Sequence, residues 1–358
     1  MGTATQRIRA LAIFMSIFLP SLAQETEKPG FRWNVNADNE GLWNMTTGKG
    51  AWNGLLSVDA GIEPWQNGLI EASAIATYGT GAVADDIQGL TNIDAGENRA
   101  FRFTKVGIRQ QFGILGIFAG LYNVDIDYFT TPYTSMFTGS SYGNFPILSM
   151  NHPLATYPLS AMCLHLNFSP TDRLAIQESI YNGIAYDRPG DQFRVRPGKD
   201  GFFNIGSVTY TLPTTDEDFS PASYMFIYSA ARLPEAENRM QMHYTLLGNI
   251  EQPIAAIRDK AMLGIMLQGG WNATRGEEMC RGYAAAAVVV ECRNGMTAGM
   301  AANRVFTLDG DETDVEFTYS CPLWRYLTIT PSLHCIFTEG QRCNVVGMLR
   351  LSFAIGNE

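Results

Sequence analysis

Apolar and polar residues alternate near the C-terminal end of the chain. Between Asp314 and Leu323 the odd positions are apolar or aromatic and the even positions are mostly polar. The pattern returns over Leu327–Cys335 and Val345–Ile355, and it is also present over Phe31–Asp38 at the other end. A period of two places each set of residues on one face of a strand. The pattern therefore predicts an antiparallel sheet with one apolar and one polar face.

Similar segments recur along the whole chain and give about sixteen strands. With its connection, each strand takes roughly 21 residues, which suits membrane strands of about 9 to 11 residues joined by loops. The alternation is poorest in the segments around Phe203 and Tyr224. The predicted strands begin near Phe31, Asn53, Leu69, Phe101, Leu115, Ser160, Leu174, Phe203, Tyr224, Met240, Ala261, Tyr283, Thr297, Thr313, Leu327 and Asn344.

The connections between these strands are alternately short and long. Tight turns occur near Pro64, Phe112, Ser169, Arg293 and Leu323. The connections between them are mostly longer, with two exceptions to the order, Leu212–Ala222 and Ile254–Lys260. Short turns at one rim and long loops at the other are typical of outer-membrane barrels, whereas a secreted β-sandwich has no reason to separate its loops in this way.

One connection, Asp127–Pro158, is much longer than the others. It contains four prolines, is rich in Tyr and Phe, and has no sustained period of 2 or 3.6. A loop of this length in an ordered domain is usually functional or disordered, and its aromatic content argues against disorder. We therefore predict a loop that folds into the lumen of the barrel and narrows it.

The N-terminal segment Met1–Ala23 has the order of a secretory signal. Arg7 and Arg9 precede an apolar run, Leu11–Leu19, and small residues follow at Ser21–Ala23. A membrane anchor is the alternative, but the apolar run is far shorter than the roughly 20 residues of a spanning helix. We predict a signal peptide over 1–23 and one barrel domain over 24–358.

Composition agrees with an exported barrel. Hydrophobic residues make up 46% of the chain and charged residues 17%, against roughly 25% charged in ordinary globular chains. The mature part contains no second long apolar run that could form a spanning helix. The formal net charge of -10 and the lack of a basic stripe argue against a nucleic-acid partner.

The six cysteines form neither a C-x-x-C pair nor a Cys/His cluster with zinc spacing. Cys335 and Cys343 end two neighbouring predicted strands and could face each other, so a disulfide between them remains open. The others are interpreted as small packing residues. No metal or cofactor is predicted.

Charged residues within strands are expected to face the lumen, because a charge on the lipid face costs roughly 2 to 4 kcal/mol at the midplane. An inward mixture of both signs, with Tyr and Phe from the loop, suits the hydroxyls and apolar faces of sugars. The alternative, a water-filled lumen without solute preference, stays open. The inward candidates are Asp38, Glu40, Asp59, Lys105, Arg109, Asp314, Glu316 and Arg350.

Five stretches together resemble the carbohydrate-selective porins (OprB family) of Gram-negative outer membranes. They are DIQGLTNIDAGENRAFRFTKVGIRQQFG (86–113), GLYNVDIDY (120–128), SMFTGSSYG (135–143), YPLSAMCLHLNFSPTDRLAIQESIYNG (157–183) and the closing strands from Asp314. The resemblance implies a 16-stranded barrel with its longest loop inside, which passes sugars down their gradient. It also implies charged groups at the narrowing, and Lys105, Arg109 and Asp125 lie within the matching motifs.

Two other classes compete with a sugar channel. A barrel-embedded hydrolase needs a nucleophile activated by a base, usually Ser with His. The chain has four histidines but no G-x-S-x-G motif, and His165 and His334 are interpreted as hydrogen-bonded lumen residues. A structural barrel without an open pore is the third class. We predict a non-enzymatic outer-membrane porin in contact with the lipid bilayer and small solutes, with a monomer favoured over an oligomer.

Overall fold

The computed structural model describes residues 30–80, 93, 101–143, 145–214, 216, 218–235, 239–258, 260–274, 279–340 and 342–357. Residues Arg32–Glu358 form one compact unit. In the described parts of the chain, sixteen strands follow one another. They are β1 Phe31–Asn44, β2 Gly50–Trp65, β3 Gly68–Gly79, β4 Arg102–Phe112, β5 Leu115–Tyr122, β6 Ala161–Thr171, β7 Leu174–Asn182, β8 Phe202–Leu212, β9 Ala222–Pro234, β10 Met240–Ile257, β11 Ala261–Asn272, β12 Cys280–Cys292, β13 Thr297–Thr307, β14 Glu312–Trp324, β15 Leu327–Thr338 and β16 Asn344–Gly356.

Each strand pairs with its neighbours in sequence, and β1 pairs with β16 to close the barrel. The closing pairs are antiparallel and run from Asn34 opposite Gly356 to Asn44 opposite Val346. Closure satisfies the backbone groups that an open sheet would leave at its edges. The predicted all-β barrel of about sixteen antiparallel strands is confirmed, and each predicted strand begins within three residues of the observed one.

The two faces of the sheet differ as the alternation predicts. Ile70, Ile108 and Phe317 are on the outer face and are 42%, 48% and 46% exposed. Their neighbours in sequence, such as Glu71 and Glu316, are on the inner face and are buried. This arrangement presents apolar side chains to lipid and polar ones to the interior.

Aromatic residues lie on the exposed surface at the rim of the barrel that carries the short turns. Trp65, Phe112, Phe168 and Trp324 are all exposed there. Amphipathic rings at this level are typical of the interface between membrane and water.

One carboxylate in the middle of a strand departs from the rule that charges face inward. Glu178 is two residues from each of the exposed residues Ile176 and Ile180, so it lies with them on the outer face of β7. Its oxygens accept hydrogen bonds from the Asn204 amide and the Tyr228 hydroxyl on β8 and β9. These two donors replace part of the hydration that the carboxylate loses in an apolar surrounding.

Short helices occur in two of the connections that the structure describes. Between β5 and β6 lie α1 (Asp125–Tyr128), a 3₁₀ turn (Thr134–Met136), α2 (Ser140–Gly143) and α3 (Pro146–Ser149), and between β7 and β8 lies α4 (Pro197–Asp200). Within the described residues, none of the helices is long and apolar enough to cross a membrane.

The main apolar core lies between the connection 127–158 and the inner face of the wall. Tyr128, Tyr133 and Phe137 from this connection join Phe203 and Ile227 from β8 and β9 in one buried cluster. The core explains why alternation is poor in β8 and β9. Their inner faces are apolar because they pack against side chains rather than against water.

The connection between β8 and β9, an exception to the short-turn order, is tied to a distant turn. Arg293, after β12, forms ion pairs with Asp216 and Asp218. Ser220 also hydrogen-bonds Glu291 on β12. The extra length thus lets this connection reach across to the β12–β13 turn.

All six cysteines are free thiols, including Cys335 and Cys343. The possible disulfide between these two residues is therefore not present in the structure.

Candidate channel lining

Lys105 and Arg109 converge on a carboxylate that the sequence did not single out. Both lie on the inner face of β4, and Glu71 lies on the adjacent strand β3, opposite Gly107. Lys105 Nζ is 2.9 Å from Glu71 Oε2, and Arg109 Nε is 3.0 Å from Glu71 Oε1. The carboxylate therefore lies between the two cations. Gly107 leaves room for the Phe118 ring, which lies 2.4 Å from the position that a Cβ atom on Gly107 would take.

Aromatic rings from β5 complete this charged group. The Arg109 guanidinium lies 5.3 Å from the Phe118 ring centre and donates a hydrogen bond of 3.3 Å to the Tyr122 hydroxyl. Lys105 Nζ lies 5.9 Å from the Tyr122 ring centre. Cation–π contacts and ion pairs fix both cations in place. The group therefore combines charges of both signs with ring faces.

A cavity of about 240 Å³ adjoins this group. Its lining includes acidic and basic residues, the hydroxyl residue Ser73 and the aromatic residue Trp33. The lining residues are Arg32, Trp33, Asn34, Asp59, Ala60, Gly61, Leu69, Glu71, Ser73 and Lys105.

Arg350 and its neighbours continue the paired charges across the closing strands. Arg350 Nε donates a hydrogen bond of 2.7 Å to Glu40 Oε1 on β1. Asp38 accepts a hydrogen bond from the Ser352 hydroxyl. Asp59, on β2, likewise accepts a hydrogen bond from the Ser73 hydroxyl. Each of these carboxylates therefore has a donor on a neighbouring strand.

Asp314 and Glu316 lie on the inner face of β14 and are buried with His334 of β15. His334 Nδ1 is 3.2 Å from Asp314 Oδ2, and its Nε2 is 3.9 Å from Glu316 Oε1 and 3.1 Å from the Thr138 hydroxyl. Glu316 also accepts hydrogen bonds from the backbone N–H groups of Thr138 and Gly139, at 2.7 and 3.0 Å. These contacts hold the connection 127–158 against β14 and β15.

One ligand atom from each of Asp314, Glu316 and His334 lies within 4.8 Å of the other two, a spacing that a cation could use. The two imidazole nitrogens, however, face different carboxylates, and both Glu316 oxygens accept backbone hydrogen bonds. A metal would need to replace these bonds. The arrangement therefore serves to anchor the connection.

Glu251, on β10, anchors the same connection at a second point. Its Oε1 accepts hydrogen bonds from the Thr131 hydroxyl and from the backbone N–H groups of Tyr133 and Thr134, the latter two at 3.0 and 3.2 Å. The Glu251 side chain is completely buried. A buried carboxylate is stable only when donors surround it, and here the connection supplies them.

Aromatic side chains of the connection 127–158 pack closely against glycines of the barrel wall. A Cβ atom on Gly264 would collide with the Tyr133 ring, and one on Gly299 would lie 2.7 Å from the Phe137 ring. Glycine is therefore required at these two positions for the rings to lie close to the sheet.

Asp125 lies in α1 rather than on a strand. Its carboxylate accepts a hydrogen bond from the backbone N–H of Tyr157, so it ties the two ends of the connection together. The other carboxylate oxygen is buried without a partner. Burial raises the pKa of Asp125 to about 7, although the Tyr157 N–H and the Asn123 side chain both favour the charged form.

The structure thus places the predicted residues in separate groups. Lys105 and Arg109 lie together, Asp314 and Glu316 lie together, and Arg350 lies with Glu40. Glu71 and Glu251 are not among the residues predicted from the sequence. Glu71 alternates with Ile70 and Ala72, a signal that was present but was obscured because its inner-face neighbour Leu69 is apolar. Glu251 precedes Pro253 and was hidden by the expectation of an irregular connection after Ile254.

A closed antiparallel barrel with an apolar outer face and a charged inner face is the architecture of outer-membrane porins, which are channels for small solutes. The family model of the carbohydrate-selective porins, OprB family, matches residues 62–253, which is more than half of the chain. The chain belongs to this family. No curated protein matches it.

Solved structures agree with this assignment at the level of the fold. Pseudomonas putida OprB at high pH is similar with a TM-score of 0.74 and 12% identity, over 91% of this chain and 94% of that chain. An anion-selective porin from Comamonas acidovorans has a TM-score of 0.58 and 10% identity, over 91% and 98%. Pseudomonas aeruginosa OpdK with vanillate has 0.52 and 10%, over 91% and 99%.

Proposed function

We propose that this porin favours neutral carbohydrates over charged solutes of similar size. The observation that carries the proposal is the pairing of inner-face charges. Glu71 is paired with Lys105 and Arg109, and Glu40 is paired with Arg350. Paired charges offer both donors and acceptors to sugar hydroxyls and present a weaker field to an ion than the same cations would without their carboxylates.

The connection 127–158 narrows the passage in this proposal. Its contacts with Glu251 on β10 and Glu316 on β14 support a position inside the barrel, because both carboxylates are on the inner face. The charged groups of β1–β4 and β16 then face the connection across the remaining opening. Lys105, Arg109, Asp314, Glu316 and Arg350 belong to the lining or its support, and Asp125 closes the base of the connection.

Export and assembly complete the proposal. Residues 1–23 act as a cleaved signal peptide, and residues 24–358 form the barrel in the outer membrane as a monomer. The signal peptide is supported by the order of charged, apolar and small residues at the N-terminus, and the outer-membrane location by the family and the barrel.

Swelling of liposomes that contain the purified porin tests the sugar preference. We expect glucose to enter faster than gluconate, a charged solute of similar size, and larger oligosaccharides to enter more slowly than both. Equal rates for glucose and gluconate would indicate a general diffusion porin. No swelling in any solute would indicate a closed barrel, and consumption of a sugar would indicate an enzyme.

Arg109→Ala tests whether the lining residue contributes to this preference. The substitution removes the ion pair with Glu71 and the contact with Phe118. We expect the ranking of solutes to change while the barrel remains folded, as judged by heat-modifiable migration in gels. An identical ranking would remove Arg109 from the lining.

A further inference from the structure

We infer that Glu71 sets the ion selectivity of this channel by masking the charges of Lys105 and Arg109. The inference rests on the proposed function, and it names a specificity-determining residue that lies between two cations. It also predicts that loss of the Glu71 charge makes the channel more permeable to anionic sugars.

The Glu71 carboxylate lies between the two cations. Glu71 is opposite Gly107 in the β3–β4 register, with Lys105 and Arg109 two residues to either side. Each of its oxygens contacts a different cation, at 2.9 and 3.0 Å. One carboxylate thus serves two cations, and the three groups together carry a net charge of +1.

The three charged side chains are partly accessible from the interior. The side chains of Glu71, Lys105 and Arg109 are 11%, 17% and 28% exposed, so each touches the interior without being enclosed. Glu71 and Lys105 also line the cavity between β1 and β4. An ion or solute in this cavity is therefore close to the group and experiences its net charge.

The other contacts of the cations do not replace the Glu71 charge. Within the described residues, Arg109 has only the neutral Tyr122 hydroxyl and the rings of Phe118 and Tyr122 besides Glu71. The other carboxylate that lines the cavity, Asp59, is hydrogen-bonded to Ser73. Asp127 also lies near the group and interacts with the Tyr122 hydroxyl. When Glu71 loses its charge, the net charge of Glu71, Lys105 and Arg109 rises from +1 to +2.

Reversal potentials across planar bilayers in a potassium chloride gradient test the inference. For Glu71→Gln we expect the cation-to-anion permeability ratio to fall by about two- to fivefold at 0.1 M salt. This is the size expected for one unit charge roughly 8 Å from the ion path. The shift should shrink at 1 M salt, because screening weakens a charge effect but leaves a structural change in place.

Three further variants form a charge series. Lys105→Gln lowers the net charge of the group to zero and is expected to raise the ratio above wild type. Glu71→Gln combined with Arg109→Gln restores +1 and is expected to return the ratio towards wild type. Asp311→Asn is the matched control, since Asp311 loses the same charge from a pair with Arg304 of β13, outside the lining of this cavity, and is expected to shift the ratio little.

Two results would overturn the inference. One is a Glu71→Gln channel with the wild-type ratio, and the other is a series whose ratios do not follow net charge. If Glu71→Gln does not fold, Lys105→Gln and the double variant still test the series. A wild-type protein without conductance would instead contradict the proposed function, so the two failures can be told apart.

The inference extends to solutes. In the swelling assay, we expect Glu71→Gln to raise the rate of gluconate entry relative to glucose by about twofold, through the same uncompensated cations. An unchanged gluconate-to-glucose ratio, together with an unchanged reversal potential, would assign Glu71 a purely structural role.

Discussion

At the scale of single residues, nearly every described inner-face carboxylate has a donor on another element. Two of them, Glu40 and Glu71, form ion pairs with a neighbouring strand. Two others, Glu251 and Glu316, accept hydrogen bonds from the connection 127–158. Burying a carboxylate without such partners would cost several kcal/mol. These pairs therefore restrict the geometry of the interior as well as its charge.

Asp125 is a buried carboxyl whose pKa is shifted into the neutral range by its surroundings. Because its pKa is raised to about 7, the folded protein binds this proton more tightly than the unfolded chain. The group's contribution to the free energy of unfolding therefore falls as pH rises from about 4 to about 7, by roughly 1.4 kcal/mol for each pH unit.

The substitution Asp125→Asn tests this dependence. We expect the variant to lose less stability than wild type between pH 4.5 and 7.5, as measured by urea unfolding in detergent. Asp309→Asn, in an exposed loop, is the control and should keep the wild-type profile. If Asp125→Asn has the same pH profile as wild type, its carboxyl does not titrate in this range.

At the scale of elements, the strands follow from alternation, but the fit of the connection depends on glycines. Gly264 and Gly299 leave room for Tyr133 and Phe137, and Gly270 has Ile147 at 3.2 Å from the position of its missing Cβ. An apolar side chain at such positions would lift the connection from the wall, although it would not disturb the strand itself.

Gly264→Ala is expected to lower the free energy of unfolding by about 1 to 3 kcal/mol, because overpacking displaces the Tyr133 ring. Gly269→Ala in the same strand is the matched control. Its added Cβ would meet only the Tyr283 carbonyl oxygen at 3.7 Å, so little change is expected. Urea unfolding monitored by tryptophan fluorescence compares the two, and equal stabilities would show that Tyr133 is not seated against Gly264.

At the scale of the whole molecule, the barrel and the connection have separate roles. The wall is closed by strand pairing alone, from β1 to β16. The connection 127–158 packs a buried apolar core against β8 and β9, whereas paired charges lie on β1, β3, β4 and β16. In the proposed function, the passage lies between these two parts of the barrel.

Deletion of Thr131–Ser149 tests the division. We expect single-channel conductance to rise about twofold or more, since the open cross-section of an aqueous barrel limits its flow. Larger oligosaccharides should then also enter in the swelling assay. Strand content by circular dichroism serves as the control for folding, and a folded variant with wild-type conductance would show that the connection does not narrow the channel.

The sequence by itself determined the wall of this protein. The period of two and the order of short and long connections predict about sixteen strands. Because lipid lies on one side of the wall and water on the other, apolar residues must face outward and polar residues inward. Lys105, Arg109 and Arg350 could be predicted as inner-face charges for the same reason.

Only the tertiary structure decided what those charges do. Glu71 meets both cations because β3 and β4 pair in one register, and Glu251 and Glu316 meet the connection although they are more than a hundred residues away from it in sequence. Contacts of this kind depend on how the closed barrel brings distant strands around one interior, and local alternation carries no information about them.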